Sequence, residues 1–183
     1  MIAAADFFTI EIWTLLGLTR YLLFFVIELA TRRVEIAGLY RNPNGTWMEQ
    51  VGRNLVDEQR GFVNKKKYLI HDRDPLYTLS FQRTLAGAGV KSLKLPPRSP
   101  NLNAYAERFV ESIKQECLGR MILFGERGLK TALREYTEHY HQERNHQGIE
   151  NQLIVPATAV VGSASIERKK RLGGLLSHYY RAA

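Results

Sequence analysis

Cysteine is all but absent: Cys117 stands alone among 183 residues. A single thiol excludes an internal disulfide framework and any zinc site built on several cysteines, and it fits a reducing compartment. Long apolar runs are missing too. The greasiest stretch, Tyr21 to Ile27, sits between Arg20 and Glu28. It is far shorter than the ~20 residues a membrane span needs and reads as a buried strand. The N-terminus has no basic n-region of a secretory leader, and Asp6 breaks its apolar stretch early. No internal repeat or low-complexity tract is present. Acidic residues are the minority charge, 18 Asp and Glu against 26 Lys and Arg, for a net charge of +8. Such an imbalance favours a polyanionic partner, nucleic acid first. With 45% apolar and 24% charged residues, the composition is that of a globular domain, not of a disordered chain, a collagen or a coiled coil.

The order of elements predicts a mixed sheet with helices on both faces. Three strands come first: Ala3 to Ile12, Tyr21 to Leu29, and Arg33 to Tyr40, where Val34, Ile36 and Gly38 alternate with charged neighbours. Short turns at Leu16 to Thr19 and Ala30 to Arg32 make this an antiparallel meander. Thr46 and Glu49 have the spacing of a capping box, and a helix is expected from Trp47 to Arg60. Tyr68 to His71 is a fourth strand. Asp74-Pro75 reads as the cap and first position of a second helix reaching Gly87, and Val90 to Leu95 as a fifth strand. Pro96-Pro97-Arg98-Ser99-Pro100 is a stiff connector. A helix opened by Asn103 follows, with Phe109, Val110, Ile113 and Cys117 on its apolar side. A last long helix is expected from Leu129 to Glu143. The domain expectation is a core over 1–156 and a basic C-terminal tail over 157–183.

Three acidic residues stand out. Asp6 lies inside the first strand, where a carboxylate is costly to bury without a cation or donors; alone, it reads equally well as a solvent-facing strand-end Asp. Asp72 ends the fourth strand, and strand ends are where sites form in open sheets. Asp74 competes for that role but already has an explanation as a helix cap. Glu107 opens the helix after the connector. Lys114, seven residues later, shares its face at ~100° per residue, as does Glu111; taken alone, they read first as a solvated face with a Glu111–Lys114 pair. Together the acids supply oxygen ligands of the kind Mg²⁺ prefers, in a chain otherwise suited to holding a phosphate backbone. His139, His141 and His146 lack the cysteines that would make a zinc spacing convincing. Trp13 and Trp47 read as core or interface aromatics, and Lys65-Lys66-Lys67 and Arg168 to Arg171 as solvated charge runs that also attract phosphates.

Four segments carry a family resemblance: Ala5-Asp6-Phe7-Phe8-Thr9; Ile70-His71-Asp72-Arg73-Asp74-Pro75-Leu76-Tyr77-Thr78; Pro100-Asn101-Leu102-Asn103-Ala104-Tyr105-Ala106-Glu107-Arg108-Phe109 with Ser112-Ile113-Lys114; and Tyr140-His141-Gln142-Glu143-Arg144-Asn145-His146-Gln147-Gly148. In order and spacing they resemble the catalytic core of the DDE transposase and retroviral-type integrase superfamily, specifically a bacterial insertion-sequence integrase. The resemblance covers Ala4 to Pro156.

The resemblance implies an α/β, ribonuclease H-like fold with a five-stranded mixed sheet flanked by helices. It implies a metal-dependent polynucleotidyl transferase in which Asp6, Asp72 and Glu107 are the catalytic, metal-holding triad. Lys114 is implied as a contact to the end of the mobile DNA, and Arg108, Arg144 and His146 as further DNA contacts. The cofactor expected is Mg²⁺ or Mn²⁺, as two ions. The partners expected are element ends, target DNA and further copies of the chain, with no membrane, in the bacterial cytoplasm at the nucleoid. The reaction implied is cleavage at the element's end, then attack of the freed 3′-OH on target DNA. Two departures are visible. Asp74 stands where family members often have a small residue, and no end-recognition domain precedes the first strand, as in a core alone or a truncated copy. An inactive remnant that binds DNA or dimerises, and a ribonuclease H-like nuclease, are the rival readings.

Overall fold

The computed structural model describes residues 1–97, 103–156 and 165–181. Residues 98–102, within the proline connector and the start of the third resemblance segment, lie outside them, as do 157–164 of the expected tail. The described chain forms two compact units, Met1–Val110 and Glu111–Ala183.

The first unit is built on a sheet of order β3-β2-β1-β4-β5. Strands β1 (Ile2–Thr14), β2 (Gly17–Glu28) and β3 (Val34–Tyr40) form the expected antiparallel meander. Strands β4 (Tyr68–His71) and β5 (Lys91–Lys94) add to it in parallel. The run Tyr21 to Ile27 forms most of β2, and Leu23 to Ile27 are at most 1% exposed. Its continuous apolar character follows from burial on both faces. On one face, Ala3, Ala5, Phe24, Val26 and Leu69 pack with α1 (Gly45–Leu55) and α2 (Leu79–Gly87). On the other, Phe25 meets Phe8 and, 4.8 Å away between ring centroids, Phe109 of α3 (Ala104–Glu116). No helix among the described residues is long and apolar enough to cross a membrane.

Helix boundaries depart from expectation for local reasons. The cap of α1 is Asn44, whose side chain accepts the Trp47 N–H at 2.9 Å, rather than Thr46. Met48, Val51, Gly52 and Leu55 then bury one helical stripe. The helix ends at Leu55, not Arg60. Asp57 Oδ1 accepts the Gln59 and Arg60 N–H groups, and the chain turns back so that Val63 N–H reaches Leu55 O at 3.0 Å. Gly61 makes that return possible: a Cβ there would lie 2.5 Å from both Asp57 N and Leu55 O. Backbone atoms cannot step aside, so Gly61→Ala is expected to cost about 1–3 kcal/mol. An unchanged urea midpoint would reject this account of the turn.

The second helix starts at Leu79 with Thr78 as its cap, not at Asp74-Pro75. The Asp74 side chain instead accepts the Leu76 N–H within a turn. Trp47 packs against the core and stacks on Tyr40, its ring filling the space left by the missing side chain of Gly38. Trp13 is 50% exposed beside the β1–β2 turn.

In the second unit, α4 runs Gly125–Gln142 and starts four residues before the expected Leu129. Leu129, Ala132, Leu133, Tyr136, His139 and Tyr140 form its buried stripe. The basic segment near the C-terminus forms a two-stranded antiparallel hairpin, β6 (Ile166–Arg171) with β7 (Leu176–Arg181). Glycines at 173 and 174, both at positive φ, shape its turn. Neither basic run is uniformly solvated. Lys66 pairs with the buried Glu28, and Arg171 is 7% exposed.

Candidate active site

Parallel pairing of β1 with β4 joins Ile2 to Tyr68, Ala3 to Leu69 and Ala4 to Ile70. Continued by two residues, this register sets Asp72 opposite Asp6, on the same side of the pleat. β4 stops at His71, so Asp72 stands just past the strand end while Asp6 is held inside β1. That is the strand-end position where open sheets place their sites.

Burial pushes the Asp6 carboxyl up to about 6, against the pull of its hydrogen bond from Phe7 N–H at 2.8 Å. The charges of Asp72, Glu107 and Asp74, in that order, contribute to that rise. Four carboxylates from β1, the β4 end and α3 therefore share one electrostatic neighbourhood within the first unit. None forms an ion pair among the described residues. Glu107 is exposed on the first turn of α3, where Ala106 and Phe109 are the buried positions. Oxygen-only donors that repel one another are the set hard divalent cations take, so the residues fit such an ion in kind. Among the described residues, however, no three His, Cys, Asp or Glu side chains converge closely enough to hold one ion together.

Asp72 is oriented from two directions. Its Oδ1 accepts the Asp74 N–H at 3.1 Å. Its backbone carbonyl meets Nδ1 of His71 at 2.7 Å, and Nε2 of the same ring meets Ser92 Oγ on β5 at 2.6 Å. Burial lowers the His71 pKa and keeps the ring neutral. Nδ1–H then donates to the Asp72 carbonyl, and Nε2 accepts from the Ser92 hydroxyl. The ring also stacks on Tyr77, centroids 3.9 Å apart. Sequence reasoning did not single out His71, Tyr77 or Ser92. The signal for His71 was its alternation with Leu69, which puts both on buried positions of β4.

The Asp6 shift has a stability consequence with a definite sign. Its folded pKa lies above the ordinary 3.8, so the folded state holds the extra proton. Stability is therefore lost as pH rises from about 4 through about 6, and the penalty is complete above that. Asp6→Asn should stabilise the metal-free protein by about 1–3 kcal/mol at neutral pH and by little near pH 4. Urea unfolding in a chelating buffer measures this. Equal gains at both pH values would contradict it.

The other expected contacts fall in different settings. Arg108 and Lys114 are exposed on α3. Arg144 forms a bidentate pair with Glu116, at 2.7 Å to Oε1. His146 is 5% exposed, with Nε2 2.7 Å from the Tyr140 carbonyl. Both thus have structural partners within the second unit, and His146 is buried. His139 pairs with Glu143. Cys117 is buried, which pushes its thiol up to about 11 and leaves it without thiolate character at neutral pH.

A family profile described as an integrase core domain matches residues 88–152, a segment that holds Glu107 and Lys114 but begins after both aspartates. Among solved structures, the chain is similar to a simian T-cell lymphotropic virus intasome in complex with a PP2A regulatory subunit. It matches that structure at 12% identity and TM-score 0.62, covering 99% of this chain and 66% of that one. It is similar to the HTLV-2 integrase catalytic core domain in complex with magnesium, trimeric form (10% identity, TM-score 0.55, 84% and 92% covered). It is also similar to the Mos1 transposase catalytic domain with Raltegravir and Mn (18% identity, TM-score 0.52, 74% and 69% covered). No curated protein sequence matches the chain. The five-stranded mixed sheet flanked by helices is the ribonuclease H-like fold of integrase and transposase cores. The profile supports an integrase core domain over residues 88–152 alone, and the solved structures support the fold.

Proposed function

We propose that the chain is the catalytic core of a DNA strand-transfer enzyme, a polynucleotidyl transferase of the DDE type. One observation carries the reading. Asp6 is a half-buried carboxylate at the centre of the sheet, and the charges acting on it are those of Asp72, Glu107 and Asp74. A fold does not maintain such repulsion for stability's sake, and perturbed acids in one neighbourhood point to a site.

Asp6, Asp72 and Glu107 are the residues that would hold divalent cations, Mg²⁺ or Mn²⁺, two in number. Such ions, when bound, stabilise charge on the attacking and leaving oxygens of an in-line displacement. The chain's own groups do the rest. The His71–Ser92 hydrogen bonds fix the backbone at Asp72, and the exposed Arg108 and Lys114 hold DNA phosphates on α3. The substrates are the ends of a mobile element and its target DNA, and the working form is an oligomer. The setting is the bacterial cytoplasm, at the nucleoid. The core spans 1–156 and the basic tail 157–183.

The test is a strand-transfer assay with Mg²⁺, end-recognition being supplied in trans. Joined products that disappear in Asp72→Asn are expected. Cleavage without joining would point to a nuclease of the same fold. DNA binding with neither cleavage nor joining would instead establish a core that binds DNA without recombining it.

A further inference from the structure

The basic stretch Arg168 to Arg171 does not act as one run. Alternation along β6 sends Arg168 and Lys170 to one face of the hairpin and Lys169 and Arg171 to the other. On the second face, Arg171 reaches Glu135, Glu138 and Glu143, and Lys169 reaches Glu143 at 2.9 Å. Those charges are neutralised against α4 and its C-terminal end. Arg168 and Lys170 are exposed and pair with no carboxylate among the described residues. Cross-strand register places Tyr179 opposite Arg168 and Ser177 opposite Lys170. The Arg168 guanidinium donates to Ser177 Oγ at 2.8 and 3.1 Å and lies 5.8 Å from the centroid of the Tyr179 ring. Tyr179 itself is 62% exposed. One face of a two-stranded ribbon thus carries exposed cations, Arg168 held in place, with a hydroxyl and an open aromatic ring, while its other face is clamped by ion pairs.

We infer that the outer face of the β6–β7 hairpin is a docking surface for the phosphodiester backbone of duplex DNA. Its binding is independent of divalent metal. Charge complementarity selects the occupant: the two cations left without acidic partners are the ones displayed, and counterion release makes such contacts with DNA favourable. The inference goes beyond the strand-transfer reading and does not need it, because binding is measured in chelator, where no transfer occurs.

The experiment is fluorescence anisotropy of a labelled mixed-sequence duplex with the full chain in EDTA, across about 50 to 200 mM salt. Arg168→Gln/Lys170→Gln should reduce the slope of log affinity against log salt by about 1.8, two phosphate contacts' worth. Between those salt limits this amounts to about a 12-fold smaller loss of affinity. Arg168→Lys/Lys170→Arg should retain the slope, and Lys169→Gln, on the inner face, should leave it nearly unchanged. Circular dichroism melts confirm that the variants fold. An unaltered slope in the double Gln variant overturns the inference. So does hairpin-dependent binding to vesicles containing phosphatidylserine without hairpin-dependent binding to duplex. Loss of transfer in Asp72→Asn with unchanged anisotropy bears on the carboxylate reading alone.

Discussion

Asp72→Asn should lower strand transfer by a factor of about 10³ or more, on the order of 4 kcal/mol of transition-state stabilisation, while folding and DNA affinity persist. The substitution is nearly isosteric. The Asn oxygen still accepts the Asp74 N–H, and the His71 bond to the backbone carbonyl is untouched, so the strand end keeps its shape. What disappears is the charge a divalent cation would bind. It is also the charge that, of the three neighbouring acids, raises the Asp6 pKa most. The metal-free variant should therefore melt no lower than the parent. Mg²⁺ should raise the melting temperature of the parent more than that of the variant, because only the parent keeps the full ligand set. Undiminished transfer in Asp72→Asn would sink the assignment. A variant that unfolds would instead show that the strand end depends on the carboxylate for structure.

The second large effect lies in the other unit. Arg171→Ala should destabilise the hairpin and α4 by about 3–5 kcal/mol, the range for removing one partner of a buried ion pair. The Arg171 side chain is 7% exposed and holds Glu143 through two nitrogens, at 2.9 to 3.1 Å, besides Glu135 and Glu138. The Glu143 side chain is 4% exposed, and its hydrogen bonds from Arg171, His139 and Lys169 hold its pKa down to about 2 despite burial. A depressed carboxylate stabilises the fold above its ordinary 4.5, and the contribution fades as pH falls through about 2. Hydrogen exchange at the β6 and β7 amides in the variant is the direct readout. Protection equal to the parent's would show that the pairs contribute nothing net. Lys169→Gln removes a half-exposed partner of the same glutamate and should cost much less.

These two sites differ in how far they could be read from the chain. Asp6, Asp72 and Glu107 were visible as residue types at telling positions, and the meander, the fourth and fifth strands of a mixed sheet and the helix order followed from periodicity and turn residues. The boundaries that failed did so where a local competitor was stronger. Asn44 outcompeted Thr46 as the cap of α1, and Thr78 capped α2 four residues after Asp74 because the Asp74 side chain was engaged in its own turn. Close approach of backbone to backbone at Gly61 ended α1 early, and no propensity scale registers such an approach.

Charge runs were the least legible feature. Lys66 and Arg171 stand among like-charged neighbours and read as solvated, yet each meets a buried glutamate distant in sequence, Glu28 for one and Glu143 for the other. Arg144 and His146, expected as DNA contacts from the resemblance, also have partners that no sequence pattern shows, Glu116 and the Tyr140 carbonyl. By itself the sequence determined the order of elements as far as α4, the buried character of β2 and the acids available for chemistry, but not the β6–β7 hairpin, because the former depend on residue type and on periods of 2 and 3.6 residues. Tertiary structure alone decided which acid faces which, which cation is cancelled and which histidine is buried. Those outcomes depend on strand register and on contacts between residues far apart in the chain, where one step of register moves a side chain to the opposite face.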